Sequence, residues 1–231
     1  MTEASPIRRV AVRGADADAL AGTGVAVVDL AAADAVLAVG EEALEAAALS
    51  GPSVPLLPVE IAGSFHGIER GQISDAATAL QAGNYRLVTH PVLDIGVGGE
   101  RVGRAVFDTA LVTTEPARIS EYSLSTDGQE LLEVRADGIV VATSFGSRGY
   151  NSAAGGPLLA PGAGLSVVPI APFTTRADNW VVPGPLEVAV ERNEGTVSLF
   201  ADEEDLGEID PHEPVRVSVG GEFDCVSPVF D

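Results

Sequence analysis

The sequence predicts an α/β layer over residues 1–85 followed by a β-rich domain over residues 86–231. Two observations carry this. Residues 7–12, 25–30, 35–39 and 54–61 are short β-branched or apolar runs with helix-favouring pieces between them, the pattern of a parallel sheet covered on both faces. From Arg86 onward the apolar residues alternate, in short segments separated by Gly, Asp or Pro, as in antiparallel strands.

In chain order, residues 7–12 form a first strand and the Asp- and Ala-rich residues 15–21 a helical piece. Residues 25–30 (VAVVDL) and 35–39 (AVLAV) supply two further strands, each ended by Gly or an acid. The Ala, Leu and Glu content of residues 41–49 (EEALEAAAL) favours helix, and residues 54–61 give a fourth strand. Strand, helix, strand, strand, helix, strand is the order of a small α/β layer. Residues 72–85 (QISDAATALQAGNY) predict a helix capped by Ser74 or Asp75 and stopped at Gly83. Beyond it, residues 85–91, 99–113, 119–125, 130–134 and 139–143 read as strands, with Asp127-Gly128 as a two-residue hairpin turn. The last strands run to about Val229.

With 46% hydrophobic residues in 231, the chain can build a core without staples. Its formal charge of −21 comes from 34 acids against 13 basic residues, and every basic residue is Arg. An acid-rich, Lys-free surface keeps a protein hydrated near salt saturation, where charges are screened within about 3 Å. The composition therefore predicts the cytosol of an extreme halophile. A basic partner is the other reading of such a charge, but the acids are scattered among apolar residues instead of forming a tail. A nucleic-acid partner is not expected, because phosphates would be repelled and no basic stripe exists to release counterions. Residues 1–12 lack an apolar signal core, and no run reaches the roughly 18 apolar residues of a membrane span. A cytoplasmic protein without membrane contact is expected. Cys225 reads as a buried small apolar residue, and the three histidines lack zinc-ligand spacing. His90 and Trp180 read as packing residues.

Residues 136–157 (ADGIVVATSFGSRGYNSAAGGP) are a strand that breaks into a Gly/Ser loop and then a small-residue stretch. Gly146 and Gly149 permit close backbone approach, Ser147 offers a hydroxyl, and amides opening the following helix would face an anion. The other reading of the same residues is a tight strand-to-helix turn. Asp137-Gly138, an apolar strand, Thr143, Gly146-Ser147, Tyr150 and Gly155-Gly156-Pro157 come in the order and spacing of the NAD kinase family's DG, apolar strand, TPTGSTAY and GGP. Residues 169–183 (PIAPFTTRADNWVVP) are similar to that family's PIAPHSL segment. The chain thus resembles an NAD kinase, as a divergent member.

The resemblance implies a Rossmann-like α/β domain followed by a β-rich, β-sandwich-like domain, NAD or NADP in the crevice between them, and a homo-oligomer, dimer or tetramer. It implies transfer of a phosphoryl group from ATP or polyphosphate to the adenosine-ribose 2′-hydroxyl of NAD, with Mg²⁺ or another divalent cation. It assigns nucleotide binding to Gly40, Asp108, Asp137, Thr143, Gly146, Ser147, Arg148, Tyr150, Gly155 and Gly156, and no metal ligand. Arg148 and Gly149 stand where Thr and Ala precede the family's tyrosine. Arg148 either pairs with a phosphate through its planar fork or is a solvated surface residue.

The family's GGDGT loop, whose amides cradle donor phosphates, corresponds to Val39-Gly40-Glu41-Glu42-Ala43. Glu41 falls at the catalytic Asp position, while Glu42 brings a negative charge toward a triphosphate. Both also read as ordinary acids in the first turn of a helix. The family's Asn-Glu pair, which contacts ribose, falls at Phe107-Asp108, so one acceptor remains. Asp202 resembles a late DGQ-like turn and reads as a turn residue. Two functions follow: an active kinase making NADP, with Glu41 as its base, or a catalytically impaired paralogue that binds NAD(P) as a sensor or regulator. Phosphorylation of a different small substrate is a third, prompted by Arg148 and Phe107.

Overall fold

The computed structural model describes residues 5–61, 67–174 and 177–230, and the chain divides into two compact units, Met1–His90 with Glu222–Asp231, and Pro91–Gly221. In the first unit, β1 (Arg9–Arg13), β2 (Ala26–Val27), β3 (Ala35–Val39) and β4 (Leu56–Val59) form a parallel sheet in the order β2-β1-β3-β4. Every residue of β3 is buried, as its unbroken apolar run requires. Helix α1 (Glu41–Leu49) buries Leu44 and Ala48, and α2 (Ile73–Ala82) packs Ile73, Ala76, Ala77 and Leu80 into a core with Leu37 and Val59.

Three local expectations change. Residues 15–21 form only a 3₁₀ turn, Ala17–Leu20, because Gly14 and Gly22 on either side are left-handed, at φ +75°. The strand expected over residues 25–30 shrinks to an exposed edge of two residues, which packing does not extend. Helix α2 starts ahead of Ser74 and Asp75: a 3₁₀ turn, Arg70–Gln72, runs straight into it under a capping box between Glu69 and Gln72. The expected stop holds, with Gly83 left-handed at the C-cap.

The second unit begins within β5 (Tyr85–Val97). After it come β6 (Glu100–Ala105), β7 (Asp108–Thr113), β8 (Ser120–Thr126), β9 (Gln129–Ala136) and β10 (Gly138–Ala142), then the short helix α3 (Tyr150–Ala153). The chain continues through β11 (Leu165–Ile170), β12 (Trp180–Val182), β13 (Leu186–Arg192), β14 (Val197–Ala201), β15 (Glu204–Glu208) and β16 (Val215–Pro228). One antiparallel sheet runs β12-β11-β10-β7-β14-β15, and another joins β9, β8, β13 and the start of β16. Their inner faces share one core that includes Leu111, Ile139, Val141, Val167 and Leu199 from the first and Tyr122, Leu124, Val188 and Val217 from the second. Asp127 and Gly128 both have positive φ between β8 and β9, as the hairpin turn demands.

Residues 222–231 belong with the first unit, beyond the expected division at residue 85. There Cys225 pairs in parallel with Leu56 of β4, and Val226 joins that unit's core. Cys225 is buried, and burial pushes its thiol well above the usual range, consistent with an inert packing residue. His90 is buried and stacks on Phe223 at 5.7 Å, and Trp180 packs partly buried against the sandwich core.

Candidate functional site

In the first unit, the carboxyl ends of β1 and β3 meet the start of α1 beside a cleft of about 650 Å³ lined by Arg13, Gly14, Gly40, Glu41, Glu42 and the small residues of α1. Gly40 turns the chain from β3 into α1 at φ +86°, a conformation that favours glycine, and its amide donates to Val59 O at 2.9 Å. Glu41 and Glu42 are exposed in the first turn of α1, with no side-chain cap on the helix. That position suits helix acids, and both carboxylates also line the cleft, so the geometry accommodates either role. Arg13 is the basic residue among the described residues lining it.

The second unit gathers most of the other expected residues around one corner. Antiparallel pairing sets Asp108, first in β7, opposite Ala142, last in β10, so the loop after β10 starts beside residues 106–108. Thr143 stitches the two together: its amide donates to Phe107 O at 2.9 Å and its hydroxyl to Val106 O at 2.7 Å. The same hydroxyl accepts from the amide of Phe145 at 3.2 Å. Gly146 lies so close that a Cβ there would stand 2.2 Å from Phe107 O. The Phe107 and Phe145 rings meet edge to face at 6.1 Å, an apolar contact where the resemblance places polar side chains.

Ser147 is fully buried, its hydroxyl donating to Ser144 O at 2.9 Å and accepting from the amide of Leu159 at 3.2 Å. Thr143 and Ser147 thus use their hydroxyls to shape the loop. The exposed groups are Arg148 and Gly149, which end a 3₁₀ turn, and Tyr150, which opens α3. A Cβ on Gly149 would lie 3.9 Å from Asp108 Oδ2, so that carboxylate sits against the loop. Partial burial and then the charges of Asp137 and Asp108 raise the Tyr150 phenol, keeping it a hydrogen-bond donor at neutral pH. Tyr150 therefore lies in electrostatic reach of both carboxylates, which stand at opposite ends of β10. Asp137 sits half-buried between β9 and β10 with its carbonyl taking the Thr113 amide at 2.7 Å. Gly155 and Gly156 follow α3, and the Gly156 amide donates to Asn151 O at 2.8 Å. Of residues 169–183, Thr175 and Arg176 lie outside the described residues.

Two residues that the sequence reading did not place in the site hold it together. Asn151 is fully buried and its side-chain amide donates to Ser147 O and Pro157 O, both at 2.9 Å, tying the loop to the chain after α3. Asp202, in the turn between β14 and β15, accepts from the amides of Val106, Phe107 and Asp108 at 2.8, 2.8 and 2.9 Å. Burial raises the Asp202 carboxyl above its ordinary value even though those donors oppose the shift. Asn151 had a signal in its place inside the loop-to-helix motif; Asp202, more than ninety residues from its partners, had its resemblance to a DGQ-like turn, where it reads as a turn residue.

Residues 107–224, over half of the chain, match the model of the ATP-NAD kinase C-terminal domain. The chain belongs to the NAD kinase family. An NAD kinase of Methanopyrus kandleri is 34% identical over 141 residues, 60% of this chain and 51% of the relative. One of Thermoplasma volcanium is 28% identical over 208 residues, 88% of this chain and 76% of the relative. The match to the first therefore spans about half of that kinase's length. In fold, the chain is similar to yeast NADH kinase complexed with NADH, with a TM-score of 0.75 at 14% identity over 97% of this chain and 84% of the other. It is also similar to an NAD kinase from Archaeoglobus fulgidus in complex with ATP, with a TM-score of 0.68 at 21% identity over 97% and 94%. The NAD kinase fold, an α/β unit and a β-rich unit, is the one the sequence predicts. Among the described residues no helix is long and apolar enough to cross a membrane.

Proposed function

We propose that the chain is an NAD kinase, transferring the γ-phosphoryl of ATP or a terminal phosphoryl of polyphosphate to the adenosine-ribose 2′-hydroxyl of NAD to give NADP. The 2′ oxygen attacks phosphorus, the bond to the leaving phosphate breaks, and Glu41 takes the hydroxyl proton. Asp108, Asp137 and Tyr150 hold the dinucleotide, while Thr143, Gly146, Ser147, Gly155 and Gly156 give the loop its shape and Arg148 faces phosphate. Tyr150 donates a hydrogen bond, and Asp108 accepts one from a ribose hydroxyl. Gly40 brings the chain into α1 beside the donor. Among the described residues no cluster of three metal-ligating side chains exists, but Mg²⁺ needs only one or two carboxylates besides phosphate oxygens, and Glu42, which lines the cleft beside Glu41, would supply one. When bound, the cation neutralises charge on the transferring phosphate. The observation that carries the reading is that Tyr150, exposed at the start of α3 within the family domain, lies in electrostatic reach of both Asp108 and Asp137.

A second reading, a dinucleotide-binding sensor without turnover, is favoured by Glu42, which sets a further negative charge at the donor cleft beside Glu41. The protein acts in the cytoplasm of a halophile as a homo-oligomer. The test is NADP formation from NAD, Mg²⁺ and either ATP or polyphosphate in concentrated KCl, with calorimetric binding of NAD and NADP alongside. Turnover that Glu41→Gln lowers on the order of a hundredfold supports the kinase with Glu41 as base. Unchanged turnover in that variant removes Glu41 from the mechanism, and binding without turnover in the wild type selects the sensor.

A further inference from the structure

The corner that carries Phe107 and Asp108 is the start of a strand, where amides turn away from the ladder and need acceptors. Asp202 supplies them from the end of the neighbouring strand β14: Oδ2 takes the Val106 amide, and Oδ1 takes both Phe107 and Asp108. The grip is reciprocal, because the Asp202 amide donates to Asp108 O at 2.8 Å. Asp202 reaches this position in a left-handed conformation, φ +49°, which is uncommon for a residue with a side chain and persists only where its surroundings hold it. The carbonyls of Val106 and Phe107, facing the other way, hold Thr143 and so the start of the Gly146-Ser147 loop.

We propose that Asp202 is a positioning residue for the dinucleotide site, acting through Asp108 and the loop after β10. This rests on the dinucleotide-binding reading above. A carboxylate suits the task because it accepts three bonds without a donor of its own; an amide side chain would set an N–H against one of the same backbone N–H groups. Losing the anchor frees the direction of the Asp108 carboxylate, and a misplacement of about 1 Å in such a group is costly.

The experiment pairs two substitutions in the full chain. Asp202→Asn is expected to keep the far-ultraviolet spectrum and weaken NAD binding about tenfold, with Asp202→Glu in between. In an Asp108→Ala background the same change should cost clearly less than in the wild type, since only the loop after β10 is left to position. Unchanged affinity in Asp202→Asn, or full additive losses in the double variant, would overturn the proposal. Hydrogen exchange on the wild type decides the anchoring without any variant: the amides of residues 106–108 should be as protected as the centre of β7, and fast exchange there sinks the idea. A wild type that binds neither NAD nor NADP would instead remove the dinucleotide reading, leaving the exchange result to decide the anchor.

Discussion

Asp34 accepts hydrogen bonds from the Arg9 guanidinium at 2.6 and 3.2 Å and from the amides of Arg8 and Arg9. The Arg9 side-chain bond is the largest reason its carboxyl is pushed down to about 2. Because the folded value lies below the unfolded one, near 3.9, the ionised carboxylate stabilises the fold above that range, and the benefit fades as pH falls from about 4 to about 2. Stability measured by chemical unfolding should therefore be lower in Asp34→Asn than in wild type at pH 6, with the gap closing toward pH 2. A gap that persists in acid would assign the effect to packing instead. At this scale motif spacing picked out Thr143, Gly146 and Tyr150, but the backbone contacts that Thr143 and Gly146 make with residues 106–107 are visible only once β7 and β10 are paired. Asp202 was illegible as an anchor because its three partners are remote in sequence, and an acid-rich turn reads as solvated.

Strands and helices were most legible where one local force set them. Residues 35–39 and 41–49 came out at the expected bounds, since an apolar run and a run of helix formers meet at a glycine that needs φ +86°. Residues 15–21 failed as a helix because the glycines around them dictate the path. Gly14 is the more constrained of these: it has φ +75°, and a Cβ would stand 2.1 Å from Val39 O and 2.7 Å from the Ala43 side chain. Gly51 has a similar φ, +68°, but open space around it. Gly51→Ala should cost about 1 kcal/mol, the strain of a left-handed residue alone. Gly14→Ala should cost about 3 kcal/mol or more, adding the displacement of β3 or α1. Equal losses in urea unfolding would mean that β1 and α1 are not packed as closely as described.

Across the whole molecule, a charge of −21 makes self-repulsion the long-range term that opposes compaction in dilute buffer. Exposed arginines pair locally with acids, as Arg70 does with Glu60 and Arg216 with Glu187, but 13 cations cannot balance 34 anions. The thermal midpoint should rise with KCl from dilute buffer into the molar range, where screening falls to about 3 Å. A midpoint flat with salt would count against a halophilic setting. The two-unit architecture was legible because continuous and alternating apolar patterns differ; the return of residues 222–231 to the first unit was not, since its cause is a pairing with β4 from the far side of the sequence. That return has a bearing on the order of events at the ribosome. The strand that sits beside β4 is translated more than 150 residues after it, so the first unit emerges early with one edge of its sheet bare and must wait for the whole second unit to be made. Nascent-chain crowding, and any chaperone that shields an open sheet edge, would meet this protein at its α/β end.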